Sequence, residues 1–506
     1  MRKAQKKQAE DFLKVLEEAH KEIRRTIENK NYSAALGLLE DCQQGAISLG
    51  EMIESFEGED CAAIPFLEEY CEVVYECHEN IFQRVSGNGN KVYKLLRSFL
   101  LKIERSIKND IKVNTEILFL PYKASMWDSL ESVWMAANKD PNCDAYVIPV
   151  PYYDRKPDGS FGELHYEGAL YPEYVPVTWY GDYDFESRKP DVIFIHNPYD
   201  QYNYVTSVFP AFYSQELKKY TDYLVYIPYF ISGICFNDPK EISDSKPYHW
   251  TSGAINADLI VVHSEVVKTA MVRSGYQKEK IQVLGTPKID SIVRAMKEEI
   301  SIPESWKNKI QNRKVILYNT SVTNFLNYES KYKRDMLDVI EEKIEYLVGE
   351  EDFSLIWRPH PLLEQTIISM RPDKLEHYRS IKERVQKSPK DILDETSSPL
   401  LSMLISDALI SDFSSLMKEY LATGKPVLAL DLSGRKKPKN CGVDMFAFYY
   451  SRDGFNAHKL CAMLRENTDE HRNDRLMAFE NSYVNCDGTA GEKIYSYVID
   501  KIKNNG

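Results

Sequence analysis

The sequence lacks the features of membrane-spanning, secreted and disulfide-stabilised proteins. None of its 506 residues falls in an apolar run that approaches the roughly 18 residues of a membrane-spanning helix. The basic N-terminus is not followed by the apolar segment of a secretory signal, so we expect a cytoplasmic protein. The nine cysteines are odd in number and include no CxxC pair, which argues against a disulfide framework or a zinc ribbon.

Basic residues are outnumbered by acidic ones. The chain has 64 Lys and Arg against 77 Asp and Glu, a formal net charge of −13. A broad surface for nucleic acid is therefore not expected, although a local basic cleft could still hold a phosphate ligand. Hydrophobic residues form 43% and charged residues 28% of the chain, proportions that are typical of folded globular proteins and not of disordered or fibrous ones.

Several catalytic signatures are also missing. The sequence contains no GxxxxGK[ST] phosphate loop, no GxGxxG fingerprint, no HExxH zinc motif and no GxSxG nucleophile elbow. Ser415 and Lys418 match the SxxK pattern, but the SDN and KTG motifs that accompany that pattern are absent. No cluster of metal-binding residue types is visible, so neither a metal nor another cofactor is predicted.

The first part of the sequence, residues 1–112, reads as helical throughout. Apolar residues such as Leu13, Leu16, Ile23 and Ile27 recur with the period of an amphipathic helix. The simplest interpretation is a set of helices packed on the rest of the protein. Three other roles stay open: a homo-oligomer contact, docking on a membrane surface, and binding of a partner.

Beyond these helices, short apolar runs alternate with helical stretches in two series. The runs are residues 117–120, 145–150, 192–196, 223–227, 258–262 and 281–285, and then 315–318, 354–357, 408–411 and 426–430. Near-continuous apolar runs between helices indicate buried parallel strands. We therefore predict an α/β fold with two Rossmann-like doubly wound domains that face a cleft: residues 113–300, and residues 301–506 with a C-terminal helix. Because ligands bind at the carboxyl ends of such strands, we expect the site in that cleft.

The most informative segment follows the strand predicted at 408–411. Asp412, Ser414 and Ser415 lie where this strand passes into a helix, and Glu419 follows one turn later. Backbone amides and hydroxyls at such a point can bind a phosphate. The Glu419 carboxylate could accept hydrogen bonds from a ribose or a polyol. The alternative interpretation is ordinary capping of the helix by Ser and Asp side chains.

A second segment, Arg358-Pro-His-Pro361, follows the strand predicted at 354–357. The two prolines restrict the backbone, so we expect the His360 imidazole to be held in one orientation. An imidazole and a guanidinium at a strand end suit a pyrophosphate, and a protonated His360 could stabilise a leaving phosphate. A purely structural histidine is the alternative.

Two weaker segments also follow predicted strands. In the second domain, the strand at 315–318 leads to the hydroxyl residues Thr320 and Ser321, where backbone amides could hold another phosphate oxygen. In the first domain, a tight turn, Gly285-Thr-Pro-Lys-Ile-Asp290, follows the last strand. Neither segment identifies a function by itself.

In this order, the segments resemble those of the CDP-glycerol glycerophosphotransferase family, the polymerases and primases of teichoic-acid-like polymers, which have a GT-B fold. The family motifs are a G-x-P-[RK]-x-D turn, a YAPT-like strand end, an HP turn, I-[ST]-D-Y-S-S with a following acidic residue, a KP pair, and a closing DG-x-A-x-x-[KR]-I. Their counterparts here are residues 285–290, 318–321, 360–361, 410–415 with Glu419, 425–426 and 487–494. The resemblance covers roughly the second half of the chain, and it implies a GT-B-like fold.

The resemblance also implies roles for individual residues. The family's HP histidine and paired serines hold the donor's diphosphate, and its acidic residue lies near the donor's hydroxyls. These roles fall on His360, Ser414, Ser415 and Glu419, with Asp412 capping or orienting the loop. The implied reaction transfers glycerol phosphate, or a related polyol phosphate, from a CDP-activated donor to a hydroxyl of a polymer, glycan or lipid-linked acceptor, and releases CMP.

The sequence departs from the family in two places. The first domain of family members carries a WHG-type segment whose histidine is the expected general base, but the corresponding strand end here reads Tyr226-Ile-Pro-Tyr-Phe230. His196 or Asp200, which follow another strand, could supply the base instead, and a structural role for His196 is the alternative. The YAPT-like element also differs, with Asn319 and Thr320 in place of Ala and Pro.

Two rival functions stay open. A nucleotide-sugar glycosyltransferase of the same fold would also hold a diphosphate, so the donor could be a UDP- or GDP-sugar. A non-catalytic scaffold would bind a partner through the helical arm, and the missing WHG histidine favours that interpretation. A lipid-linked acceptor would place the protein at the inner face of the membrane, although the net charge of −13 gives no support for this.

Overall fold

The computed structural model describes residues 1–504 except 84–87, 157, 204, 232–249, 323–334, 413, 431–448, 450 and 452–453. The chain divides into two compact units, which we call the helical unit and the α/β unit. The helical unit consists of Met1–Glu116, Asp140–Asp144 and Phe185–Pro190. The α/β unit consists of Ile117–Lys139, Ala145–Asp184 and Asp191–Gly506.

The helices are numbered here in chain order. They are α1 (Lys3–Glu28), α2 (Tyr32–Glu57), α3 (Ile64–Phe82), α4 (Gly89–Asn109), α5 (Glu131–Lys139), α6 (Phe185–Arg188), α7 (Ser214–Leu217), α8 (Ser252–Asn256), α9 (Glu265–Arg273), α10 (Pro287–Ala295), α11 (Glu304–Ile310), α12 (Met336–Gly349), α13 (Leu363–Met370), α14 (Leu375–Lys387), α15 (Leu400–Ile405), α16 (Ser415–Tyr420), α17 (Ala457–Glu466), α18 (Arg472–Ser482) and α19 (Ala490–Asn504). Short 3-10 helices cover Ala124–Ser129, Gly168–Leu170, Pro210–Phe212, Lys278–Lys280, Pro372–Lys374 and Leu421–Thr423. No helix among the described residues has the length and apolar character needed to cross a lipid bilayer.

The strands form three sheets. They are β1 (Thr115–Leu120), β2 (Cys143–Val147), β3 (Tyr152–Arg155), β4 (Phe161–His165), β5 (Val192–Ile195), β6 (Thr206–Val208), β7 (Tyr223–Tyr226), β8 (Leu259–Val262), β9 (Ile281–Val283), β10 (Lys314–Thr320), β11 (Phe353–Pro359), β12 (Ile392–Leu393), β13 (Ala408–Asp412) and β14 (Val427–Leu430). Each of the ten apolar runs in the sequence overlaps one of these strands.

The helical unit is built from four long helices. In it, α1 packs against α2 and α4, and α3 packs against the same two helices. The apolar stripe of α1 is buried, because Leu13, Leu16, Ile23 and Ile27 are each at most 4% exposed. Burial of such a stripe, more than helix propensity, stabilises helices in proteins. The predicted N-terminal helical region is confirmed.

The first sheet has the strand order β2-β1-β5-β7-β8-β9. From β1 onward its neighbouring strands run parallel. The register pairs Leu120 with Ile195, and Ile195 with Tyr226. The segments that follow β1, β5 and β7 therefore begin at the same edge of the sheet.

The second sheet has the order β12-β11-β10-β13-β14, and all its strands are parallel. Its register pairs Thr320 with Pro359, and Asn319 with Ser411. The central strands β10, β11 and β13 are buried almost throughout, as near-continuous apolar runs predict. The two parallel sheets confirm the predicted α/β, GT-B-like architecture.

A small antiparallel sheet, in the order β4-β3-β6, is absent from our prediction. Its strands are three to five residues long, and β4 is largely exposed. The strands read Tyr-Tyr-Asp-Arg, Phe-Gly-Glu-Leu-His and Thr-Ser-Val, so no apolar run marks them. We therefore missed them.

The last helix, α19, packs against α5 and α10 of the first strand series, although we assigned it to the second domain. Its first turn is held by Asp290, whose carboxylate accepts hydrogen bonds from the amides of Ala490 at 3.1 Å and Gly491 at 2.7 Å. Gly491 permits the close approach of α19 to α5, because a Cβ atom at this position would lie 2.3 Å from Ser132 Oγ. The predicted G-x-P-K-x-D turn and the closing DG-x-A motif therefore meet in space.

Candidate functional site

Polar residues from three neighbouring strands meet at the carboxyl edge of the second sheet. The strands β11, β10 and β13 lie side by side, and each is followed directly by one of the predicted segments. The His360 amide donates a hydrogen bond to the Thr320 carbonyl at 2.9 Å. The Ser321 hydroxyl donates to Asp412 Oδ2 at 2.5 Å. The structure thus brings together the HP turn, the YAPT-like strand end and the segment with paired serines.

His360 is the exposed member of this group. Its Nδ1 accepts a hydrogen bond from the Leu362 amide at 3.1 Å, so the hydrogen of the neutral ring lies on Nε2. Surrounding protein atoms desolvate the imidazole and lower the pKa of His360, and the nearby Arg358 guanidinium lowers it further. A neutral imidazole that can donate from Nε2 is therefore the main form at neutral pH. This differs from our expectation of a protonated ring.

Ser414 precedes the short helix α16 and acts as its N-cap. Its Oγ accepts hydrogen bonds from the Met417 amide at 3.3 Å and from Asn319 Nδ2 at 3.2 Å. Oγ of Ser411 lies 3.2 Å away. Ser415 begins the helix and is half-buried. The structure therefore shows the capping arrangement that we named as the alternative. Because the Ser411 hydroxyl donates to the Asp412 carbonyl at 2.8 Å, the Ser414 hydroxyl is the donor in its contact with Ser411.

Thr320 and Ser321 do not offer the phosphate contacts that we predicted. Thr320 is 2% exposed, and its hydroxyl accepts a hydrogen bond from Trp357 Nε1 at 3.4 Å. The Ser321 amide, like the Ser321 hydroxyl, donates to Asp412, at 3.2 Å. Asp412 therefore joins the ends of β10 and β13.

Arg358 is buried, with 5% of its surface exposed. Its Nη1 donates to Asp394 Oδ2 at 2.7 Å and to Thr396 Oγ1 at 3.1 Å, and its Nη2 donates to the Thr396 carbonyl at 2.8 Å. These contacts use three of the five N–H donors and pair the charge with Asp394, so the predicted phosphate-binding role of Arg358 is corrected to a structural one. Its charge still acts on His360 through space.

Glu419 lies in a buried ion cluster that the sequence did not reveal. Its Oε1 is 3.7 Å from Lys288 Nζ, and that nitrogen is 2.6 Å from Asp128 Oδ2. Burial raises the pKa of Glu419, and the positive charge of Lys288 partly opposes this. Burial acts to lower the pKa of Lys288, but the two carboxylates raise it, so the lysine stays charged. The cluster joins α16 of the second strand series to α10 and the 3-10 helix after β1.

His196 has a structural role, which corrects its proposal as general base. The side chain is completely buried. Its Nε2 accepts a hydrogen bond from the Tyr122 amide at 2.7 Å, and its Nδ1 lies 2.8 Å from Ser129 Oγ. Burial lowers the pKa of His196 to about 3. A ring with both nitrogens engaged and so low a pKa cannot take a proton from an acceptor.

Asp200 is likewise an internal cap. It is 4% exposed, and its Oδ2 accepts hydrogen bonds from the Ser214 amide at 2.9 Å and the Ser214 hydroxyl at 2.5 Å. These contacts hold the start of α7. Burial raises the pKa of Asp200, and the bonds from Ser214 oppose the rise. Asp200 therefore does not fit the role of general base either.

The remaining groups suit the recognition of phosphate by neutral hydrogen-bond donors. His360 Nε2 belongs to the segment after β11, and the hydroxyls of Ser414 and Ser415 belong to the segment after β13; both strands flank β10 and end at one sheet edge. Within the described ranges, no group of three or more His, Cys, Asp or Glu side chains is arranged to hold a metal ion. Neutral donors fixed by a rigid scaffold stabilise phosphate charge without reorganisation.

Two parallel sheets with polar residues at their carboxyl ends are the architecture of GT-B-type proteins. A family model described as CDP-Glycerol:Poly(glycerophosphate) glycerophosphotransferase matches residues 240–500, and the chain belongs to this family. A search of curated protein sequences found no match.

Solved structures resemble the chain at low sequence identity. One is a wall teichoic acid polymerase TagF soaked with CDPG, which is 14% identical, with 82% of this chain and 98% of that chain covered and a TM-score of 0.46. Another is a putative UDP-N-acetylglucosamine 2-epimerase from Listeria monocytogenes, 14% identical, with coverage of 78% and 98% and a TM-score of 0.47. A UDP-GlcNAc 2-epimerase from Neisseria meningitidis is 14% identical, with coverage of 76% and 100% and a TM-score of 0.49.

Proposed function

We propose that this protein transfers glycerol phosphate, or a related polyol phosphate, from a CDP-activated donor to a hydroxyl of a cell-surface polymer, glycan or lipid-linked acceptor, and releases CMP. One observation carries the proposal. Within the region matched by the family model, His360 follows β11, and Ser414 and Ser415 follow β13; these two strands flank β10 in one sheet, and their carboxyl ends lie at the same edge. That edge is where doubly wound sheets bind nucleotides.

The proposed reaction is a substitution at the β-phosphorus of the donor. The acceptor hydroxyl oxygen forms a new bond to this phosphorus, and the bond to the oxygen that bridges the two phosphates breaks. CMP leaves with the bridging oxygen, and the acceptor proton passes to a base or to solvent. Such reactions are accelerated mainly by positioning and by stabilisation of charge on the phosphate oxygens.

His360 is the proposed principal donor to the phosphate. Its Nε2 hydrogen is directed by the Nδ1 contact with the Leu362 amide, and its backbone is fixed by the bond to the Thr320 carbonyl. Removal of one fixed donor to a developing negative charge typically slows catalysis about 100- to 1000-fold. We propose that the hydroxyls of Ser414 and Ser415 support the same phosphate group.

The test is CMP release from CDP-glycerol in the presence of a polyol acceptor. We expect His360→Ala to lower kcat about 100-fold or more, while His377→Ala does not change it. His377 is a suitable control because it lies on α14 and contacts Glu341 instead of the site. Equal turnover by wild type and His360→Ala would remove His360 from the mechanism.

The donor can be identified independently of turnover. A ligand that binds only the folded state stabilises it by an amount that grows with the logarithm of the ligand concentration relative to Kd, so at equal concentration the tighter ligand raises the melting temperature more. We expect CDP-glycerol to raise it more than UDP-sugars and GDP-sugars at equal concentration. Selective stabilisation by a UDP- or GDP-sugar would replace the proposed activity by that of a nucleotide-sugar glycosyltransferase.

A further inference from the structure

Three aromatic side chains form an exposed surface on the segment that follows β4, and we call Tyr166, Trp179 and Tyr180 the aromatic face. Tyr180 lies in the middle, with its ring centroid 5.5 Å from that of Tyr166 and 5.2 Å from that of Trp179. Trp179 is 50% exposed and Tyr166 is 39% exposed. The buried ring of Phe212 supports Tyr180 from behind at 5.8 Å. Contiguous exposed rings of this kind are typical of a binding surface.

Two glycines hold the outer rings of the aromatic face in place. A Cβ atom at Gly181 would lie 2.4 Å from the Trp179 ring, and one at Gly168 would lie 2.5 Å from the Tyr166 hydroxyl oxygen. Neither glycine has a left-handed backbone conformation, so the close approach of the ring is what requires glycine there. Rings that are fixed before a ligand arrives lose less entropy when it binds.

A second group of rings extends this surface onto the small sheet. Tyr153 of β3 stacks on Phe161 of β4 at 4.7 Å and on Phe209 at 5.8 Å. Phe209 in turn contacts Phe212 at 6.3 Å, and Phe212 is the support of Tyr180. Ring contacts therefore continue from β4 to Trp179. Such a row suits an extended ligand with several repeating units.

The rings are anchored next to the carboxyl edge of the first sheet. The Val150 amide donates a hydrogen bond at 2.9 Å to the carbonyl of Pro121, which directly follows β1. The Phe209 amide donates at 2.9 Å to the Pro151 carbonyl, just before β3 begins. The aromatic face therefore belongs to the first strand series, whereas the proposed donor site belongs to the second sheet.

The charge around the aromatic face is acidic. Residues 152–184 contain seven Asp and Glu against two Lys and Arg. One of the two basic residues, Arg155, donates to the Gly159 carbonyl at 2.6 Å and lies over the Phe161 ring. Glu163 and Asp182 are exposed. This excess of negative charge repels a phosphate-bearing chain or an anionic lipid surface.

The two properties together define the chemistry of a matching ligand. Aromatic rings offer apolar surface to C–H groups, and the tyrosine hydroxyls and the tryptophan N–H add polar contacts at the ring edges. Ionised carboxylates only accept hydrogen bonds, and those that they receive from hydroxyl groups are strong. The ligand should therefore be uncharged, rich in hydroxyls and built from rings with apolar C–H faces.

We propose that the aromatic face binds the sugar rings of an uncharged oligosaccharide. The C–H faces of the sugar pack on Trp179 and Tyr166, and its hydroxyls donate to the exposed carboxylates. This inference goes beyond the proposed function and does not rest on it, because binding of the sugar requires neither a CDP-activated donor nor turnover.

The test is isothermal titration calorimetry, without donor, of the full chain with four tetrasaccharides: cellotetraose, maltotetraose, chitotetraose and mannotetraose. We expect at least one to bind wild type, and Trp179→Ala to weaken this binding about tenfold or more, because a stacked ring is lost. Gly181→Ala should also weaken it, although no ring is removed, and Trp179→Phe should retain most of it. The control Tyr75→Ala, which removes an exposed ring of α3, should bind like wild type.

Binding of an uncharged sugar should not respond strongly to salt, since salt screens ionic contacts. The inference is overturned if none of the four sugars binds, or if Trp179→Ala binds them as wild type does. It is also overturned if a glycerophosphate oligomer or vesicles of phosphatidylcholine and phosphatidylglycerol bind through Trp179 and the sugars do not. Sugar binding without CMP release would refute only the transferase activity, and CMP release without sugar binding would refute only this inference.

Discussion

From the buried cluster of Lys288 with Asp128 and Glu419 we predict how the free energy of unfolding responds when Lys288 is replaced. Lys288 is 7% exposed and Glu419 is 5% exposed, so neither charge has ready access to water. In Lys288→Met, the side chain keeps a similar length but loses its charge, and two carboxylates remain close together. Removal of one partner from a buried ion pair typically costs about 3–5 kcal/mol, because the other charge stays behind without compensation.

The loss should depend on pH in a defined direction. Burial already raises the pKa of Glu419, and the opposing effect of Lys288 disappears in the variant, so this pKa rises further. A carboxyl group whose pKa is higher in the folded state contributes stability below its ordinary pKa and loses it as pH rises. The free energy of unfolding that Lys288→Met loses relative to wild type should therefore be larger at pH 8 than at pH 5.

The assay is urea unfolding of wild type, Lys288→Met, Glu419→Gln and the double variant at both pH values. We expect Glu419→Gln to restore part of the free energy of unfolding that Lys288→Met loses, because the neutral amide removes one uncompensated charge. Lys288→Arg, which keeps the charge, should be much closer to wild type. The reasoning would be refuted if the effects of Lys288→Met and Glu419→Gln on the free energy of unfolding were additive and the loss in Lys288→Met did not depend on pH.

Two further substitutions test other assignments. Gly491→Ala should lower the free energy of unfolding by about 1–3 kcal/mol, because the added Cβ would lie 2.3 Å from Ser132 Oγ. The control Gly349→Ala should not destabilise the protein, because the space around Gly349 is open. Equal urea midpoints for the two variants would contradict this prediction. His196→Gln should lower stability but keep CMP release per folded molecule within a few-fold of wild type, because the ring only bridges Tyr122 and Ser129. A loss of 100-fold or more in kcat at unchanged stability would instead restore His196 as the general base.

The sequence was sufficient for the longer parallel strands because each contains or overlaps an apolar run, which is a local signal. The two-residue strand β12, which pairs in parallel with β11, is too short to give such a run and was missed. Parallel strands place their carboxyl ends at one edge. The contact of His360 with Thr320, and that of Ser321 with Asp412, follow from that rule. The small sheet of β3, β4 and β6 has no such run, so its strands could not be recognised.

The roles of individual polar side chains depended on contacts distant in sequence. Arg358 stands beside His360 in a promising turn, but its partner Asp394 is 36 residues away, in a stretch without a motif. His196 is occupied by Ser129, which is 67 residues distant. Spacing indicates which residues follow a strand, whereas only the packed structure shows whether their polar atoms are already used.

The attachment of α19 to α5 and α10 has a consequence for synthesis on the ribosome. Residues 490–504 leave the ribosome after every strand of both sheets has been made. The amides that Asp290 binds and the surface that covers α5 are therefore supplied after both sheets, so the lobe synthesised earlier is completed later than the one that follows it. Nascent chains should hold an unfinished first lobe until residues 490–504 have emerged, and removal of these residues should expose the helix next to the first sheet while leaving the second sheet intact.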